Sequence, residues 1–225
     1  MSRALLFLVL VSVLAAAPAR AGDIPEATLV LEAMDDLSEG VSSAAPPRFV
    51  LRLDNQVFVG GSARVYSGLL DKDAAKALER RVKELRKAGV LDAPASFGGD
   101  PSKRYRLRLS EDGGRDLLIT GDPAQAPPAL QGLAALITDL LRFDHPSLRP
   151  WQPAEYAVSA REGTLVGGCR EWLLPLSFDA VLAGSQRIAA DEVDRWPAGS
   201  DPASVCVNDL HYVVTFRPLL PGEQP

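Results

Sequence analysis

Apolar and polar residues alternate in two rhythms along this chain, and the change of rhythm marks its elements. Arg48 to Leu53 alternates strictly, with Phe49, Leu51 and Leu53 on one face and Arg48, Val50 and Arg52 on the other. Lys103 to Leu109 does the same, with Tyr105, Leu107 and Leu109 inward and Arg104, Arg106 and Arg108 outward. A period of two sends successive side chains to opposite faces of a sheet, so both stretches are predicted half-buried strands. Thr28 to Glu32 reads as a first strand. After a turn at Asp54-Asn55, Val57 to Tyr66 reads as one return strand with a bulge at Gly60-Gly61, ended by Ser67-Gly68. Asp112-Gly113-Gly114 is a hairpin turn, and Asp116 to Thr120 is its return strand.

The rhythm lengthens twice. Ala74, Leu78, Val82 and Leu85 fall on one side of a helix predicted from Lys72 to about Ala88, capped by Asp71 and stopped by Gly89 and Pro94. Leu130, Leu133, Ala134, Ile137, Leu140 and Leu141 line a second helix, Pro128 to about Phe143. Asp144 to Pro153 carries three prolines and reads as a linker or a stiff crossing segment. Ala154 to Ala160 is a short strand, Gly163 to Asp201 has no readable rhythm, and His211 to Arg217 is the last strand after a turn at Asn208-Asp209.

Hairpins separated by helices predict an α+β fold: an antiparallel sheet of hairpins with two helices packed on one face, plus a small β-rich C-terminal part. The expected division is 1–21 as a signal peptide, 22–145 as the α+β domain and 146–225 as the β-rich addition, folding either with the first domain or alone. The leader reading rests on Arg3, the apolar run Leu5 to Leu14 and the small-residue site Ala19-Arg20-Ala21. The run is shorter than the roughly 20 residues of a membrane span. A secreted or periplasmic location is therefore expected, with no transmembrane segment.

Composition narrows the function classes. With 47% hydrophobic and 24% charged residues the chain is neither disordered nor collagen-like. The formal net charge is −5, and loss of Arg3 and Arg20 with the leader makes it −7. The charge is uneven: residues 48–108 hold 14 basic against 7 acidic side chains, and 109–225 hold 8 against 16. An acidic protein is a poor nucleic-acid binder, so no nucleic-acid partner is expected.

Cys169 and Cys206 are the only cysteines, and in an oxidising compartment such a pair forms a disulfide. No dinucleotide fingerprint, P-loop, HExxH, CxxC or GxSxG motif occurs, so no cofactor or metal is expected. His145 and His211 are the only histidines, each either a base or an ordinary loop or edge residue. Glu155, Glu162, Glu171, Asp179, Asp191, Glu192 and Asp194 crowd the C-terminal third, without a spacing that distinguishes a catalytic pair from surface acids. Asp191-Glu192 with Asp194, and Glu111-Asp112 with Asp116, lack the spacing of an EF-hand loop.

Two constellations are candidates for binding. Arg52, Arg104, Arg106 and Arg108 form either a patch for an anionic partner or a charge-balanced surface. Trp151, Trp172 and Trp196, with Tyr156, Phe178, Tyr212 and Phe216 nearby in sequence, form either an aromatic binding face or a small core beside the disulfide.

The pieces Pro47-Arg48-Phe49-Val50-Leu51-Arg52-Leu53-Asp54 with Val57, the helix ending at Ala88-Gly89-Val90-Leu91, and Tyr212 to Arg217-Pro218-Leu219-Leu220-Pro221-Gly222-Glu223 form a layout. It resembles secreted or lipid-anchored proteins of high-GC bacteria for which no activity is known. Those proteins often carry an anchoring cysteine after the leader, and this chain has none there. The resemblance implies an envelope location and the same fold class, and no catalytic residue. The expected function is a non-catalytic binding or interaction module at the cell envelope, with an envelope ligand or a protein as partner. The alternative is a secreted hydrolase using carboxylates or a dispersed triad. A protease inhibitor presenting the loop Gly163 to Gly168 beside Cys169 is a third class.

Overall fold

The computed structural model describes residues 24, 26–34, 48–60, 64–110, 114–163, 165, 168–196 and 201–225. The leader, the turn residues Asp112-Gly113 and half of the 163–168 loop lie outside the described residues. The N-terminal elements are β1 (Ala27–Met34), β2 (Phe49–Arg52), β3 (Gln56–Gly60), β4 (Val65–Leu69), α1 (Lys72–Lys87), β5 (Ala95–Ser96), β6 (Arg104–Leu109), β7 (Arg115–Thr120), α2 (Gln131–Leu141) and β8 (Arg149–Pro150). Their strands form one sheet in the order β5-β7-β6-β1-β2-β3-β4-β8, antiparallel throughout except for the two-residue β5–β7 contact. The remaining elements are β9 (Glu155–Glu162), α3 (Phe178–Ala183), β10 (Gln186–Ala189), α4 (Ala190–Arg195), β11 (Ala203–Val207) and β12 (Leu210–Pro218). These strands make a second antiparallel sheet, β10-β9-β12-β11. The fold is α+β. No helix among the described residues is long and apolar enough to cross a membrane.

The helical rhythm produces the main core. Asp71 caps α1 by accepting hydrogen bonds from the backbone N–H groups of Asp73 and Ala74, while Arg86 and Lys87 occupy its last turn, where the helix dipole favours cations. Ala75, Leu78 and Val82 of α1 and Leu133, Ala134, Leu136, Ile137 and Leu140 of α2 close over Leu31, Phe49, Leu51, Val57 and Leu107 of the sheet. Leu136 lies outside the predicted stripe but is fully buried in the same core.

Three sequence expectations change. Val57 to Tyr66 belongs to two strands rather than one bulged strand: Gly60 and Val65 are antiparallel register partners, and Gly61 of the expected bulge lies outside the described residues. Leu53 leaves the core and is 71% exposed in the β2–β3 turn, whereas Val50, expected on the outer face, is fully buried. Val50 is buried because the outer face is itself half covered. Val30, Val50, Phe58 and Val65 pack there against Ile24, Leu220 and Trp151. Finally, the unreadable stretch 163–201 contains α3, β10 and α4, each of four to six residues, too short to establish a period.

Leu220 thus ties the end of β12 to the back of the first sheet. Glu223 locks that tail. Its carboxylate is 1% exposed, pairs with Arg217, and accepts a 2.9 Å hydrogen bond from the Leu220 N–H. Arg187 adds a hydrogen bond to the Glu223 carbonyl.

Candidate ligand groove

Where α2 ends, the chain must return across the sheet to reach β8. The crossing segment 143–149 runs over β3 and β4 on the helix side and is pinned at both ends. Phe143 packs edge-on to Phe49 at 4.9 Å between centroids, and Arg149 pairs in register with Ser67. In the middle, Ser147 lies directly over Gly68: a methyl group on that glycine would stand 2.4 Å from the serine Oγ. Only glycine at 68 allows so close a crossing.

The crossing segment leaves an open groove of about 500 Å³ against the sheet. Val59, Arg64 and Tyr66 form one wall, and Phe143, His145 and Arg149 form the other. Tyr66 is 37% exposed, the His145 ring stacks on Phe143, and Arg64 and Arg149 are both exposed. One guanidinium nitrogen of Arg149 donates to the carbonyls of Pro146 and Leu148, which fixes the side chain along the wall. Neither Arg64 nor Arg149 meets a carboxylate among the described residues. Asp144 is the one acid on the lining, so the groove is cationic in a protein that is acidic overall.

A Ser-His-Asp array stands beside it. His145 Nδ1 is 2.8 Å from Ser147 Oγ, and His145 Nε2 is 3.7 Å from Asp71 Oδ2. The environment is that of a strap rather than of a nucleophile. Ser147 Oγ faces the β4 backbone at Gly68, and the Ser147 backbone N–H also donates to His145 Nδ1. Asp71 is exposed and already caps α1. Its carboxyl is held below its ordinary value of 3.8, first by the Ala74 N–H, against a smaller opposing effect of burial, and further by the Asp73 N–H and by His145. A catalytic triad instead has a buried acid and a serine open to substrate. The array joins the α1 cap to the crossing segment.

The sequence candidates fall elsewhere. Arg52, Arg104, Arg106 and Arg108 do share the outer face of the first sheet, but acids neutralise three of them. Arg52 pairs with Glu26 at 2.7 Å, Arg108 with Glu32 at 2.8 Å, and Arg106 with Asp116 through two nitrogens. Arg104 has a partner as well, so none of the four is a free cation. A second hollow of about 280 Å³ includes Arg108 and Arg115, and there too Arg115 is paired, with Asp92 at 2.7 Å.

The tryptophans are not one face. Trp151 packs edge-on to Phe58 behind the first sheet. Trp172 and Trp196 belong to the second core, 6.1 Å apart, with Trp196 3% exposed and the Trp172 indole N–H donating to the Leu176 carbonyl. Phe178, Tyr212 and Phe216 complete that core. Cys169 and Cys206 are disulfide-bonded. The groove residues Arg64, Tyr66, His145 and Arg149 were missed as a site because two separate segments supply them. The available signal was the proline-bearing segment 144–153, read as either a linker or a stiff crossing segment.

No family model, no curated protein and no solved structure matches this chain.

Proposed function

We propose that this chain is an extracytoplasmic, non-catalytic binding module of the cell envelope, whose groove receives an anionic group of an envelope ligand. The observation that carries the reading is the pair Arg64 and Arg149, two exposed guanidinium groups on opposite walls of one groove, without carboxylate partners among the described residues. Arginine suits carboxylate and phosphate because its planar fork donates two parallel hydrogen bonds. Tyr66 and the stacked Phe143–His145 pair supply a flat surface against which the rest of the ligand can lie. The envelope location rests on the leader pattern at 1–21 and is supported by the disulfide.

The test is thermal melting of the mature protein with glycerol phosphate, a hexuronic acid and a neutral hexose. A ligand at 100 times its dissociation constant adds about 2.7 kcal/mol. For a chain of this size that raises the melting temperature by roughly 5–10 °C. The expected result is a shift with the anions alone, abolished by the double substitution Arg64→Ala with Arg149→Ala. Equal shifts with the neutral sugar, no shift with either anion, or a full shift in the double variant would refute the reading.

A further inference from the structure

The cysteine pair sits beside a third metal-ligating side chain. Cys206 on β11 and His211 on β12 are cross-strand partners, and the two residues between Val207 and Leu210, Asn208 and Asp209, have φ of 51° and 64°. Two consecutive left-handed residues make the tight turn that matches the twist of paired strands, so Cys206 and His211 project from the same face of a fixed hairpin. The Cys206 Sγ lies 3.5 Å from His211 Nδ1 and 3.9 Å from Nε2. The ligand atoms of Cys169, Cys206 and His211 all lie within 4.8 Å of one another. Cys169 and His211 are exposed and Cys206 is half-buried, so water, reductant and metal all have access.

The cysteines do not need the disulfide to remain neighbours. Arg170, next to Cys169, forms a parallel bridge with Val205: its N–H donates to the Ser204 carbonyl, and its carbonyl accepts from the Cys206 N–H, both at 3.0 Å. Leu165 N–H donates to Ser204 Oγ at 2.6 Å on the other side of the loop. These bonds tie Leu165 and Arg170 to β11 without using either sulfur atom. Gly168, next to Cys169, has φ +90°, and among the described residues nothing lies within 4 Å of where its Cβ would stand.

We propose that this disulfide is a thiol switch, and that its reduced form, Cys169, Cys206 and His211, binds one zinc ion. Two electrons from an external dithiol break the S–S bond. The dithiol closes to its own disulfide, and its two protons pass to the two cysteine sulfurs. Zinc then displaces both protons and binds two thiolates and one imidazole nitrogen, with water in the fourth position. With Zn–S about 2.3 Å and Zn–N about 2.0–2.1 Å, a tetrahedral S···N edge measures roughly 3.6 Å. The existing Cys206–His211 spacing fits that edge, and Cys169 must swing away from Cys206 to take its own corner of the tetrahedron.

Cobalt(II), which reports thiolate ligation and tetrahedral geometry by its absorption, tests the site. The mature protein is titrated with cobalt, oxidised and after reduction by a phosphine. The expected result is one cobalt per reduced chain, with sulfur-to-cobalt charge-transfer bands, tetrahedral d–d bands and displacement by zinc. The oxidised protein shows none of these. His211→Ala keeps the disulfide and the fold but weakens binding by at least the roughly 10–100-fold typical of losing even an outer-shell partner. Circular dichroism of the reduced, metal-free protein is expected to match the oxidised form. The proposal is overturned by an unfolded reduced protein, by the absence of a one-to-one cobalt complex, or by an unchanged affinity in His211→Ala.

Discussion

Replacing Glu223 by glutamine tests the account of how the C-terminal tail is held. The substitution keeps the shape of the side chain and removes its charge. Arg217 then remains 8% exposed without its counter-charge, against a carboxamide that presents one acceptor where two oxygens served Arg217 and the Leu220 N–H. Removing one partner of a buried ion pair costs about 3–5 kcal/mol, because the remaining charge stays desolvated. At roughly 2–4 °C per kcal/mol for a domain of this size, the melting temperature falls by about 6–20 °C. Asp191→Asn is the control. It breaks the exposed i,i+4 pair with Arg195 at 2.7 Å and costs about 0.3–0.5 kcal/mol. Urea titration measures both, with the midpoint moving and the slope unchanged if only stability is affected. The apolar double variant Arg217→Met with Glu223→Leu recovers most of the loss, since it leaves no buried charge. A Glu223→Gln protein within 1 kcal/mol of the parent would refute the reasoning, because the pair would then be solvated rather than buried.

Gly68→Ala places a methyl group 2.4 Å from Ser147 Oγ and 2.9 Å from the Ser147 backbone carbon and oxygen. The crossing segment must lift, at about 1–3 kcal/mol by urea titration, and the groove's anion response in the thermal melt weakens with it. Asp71 makes a pH prediction. Its folded pKa lies below the ordinary 3.8, chiefly through the Ala74 N–H, so its stabilising effect is complete above that value and is lost as pH falls through the lowered one. Asp71→Asn therefore melts below the parent at neutral pH, and the gap narrows as the pH falls below 3.8. Melting curves between pH 7 and pH 2.5 check it, and a gap that widens in acid would contradict it.

The elements legible in the sequence were those in which one face is buried and the other wet. Arg104 to Leu109 is such a strand, and its alternation gave both the strand and its buried face. The Asp71 cap, Leu78 and Val82 gave α1 for the same reason. Where both faces are covered, the rhythm misleads. Val50 and Phe58 belong to an outer face that the pattern assigns to solvent, and among the residues that cover it is Leu220, about 170 residues further along the chain. That contact is set by the C-terminal tail, which the buried Glu223–Arg217 pair holds in place, and neither residue advertises burial in composition. The groove was hidden by a similar separation. Arg64 and Tyr66 come from the reversal into β4, and His145 and Arg149 from the segment after α2, so their meeting depends on the crossing over Gly68 rather than on any local spacing. The arginine strand shows the converse. Its regular spacing was plain in the sequence, and the same regularity lets Glu32 and Asp116 on the neighbouring strands reach and neutralise it. The arginines of the paired sheet face are matched by acids on neighbouring strands, whereas Arg64 and Arg149 at the crossing have no carboxylate partner among the described residues. The search for ligands therefore starts at the crossing.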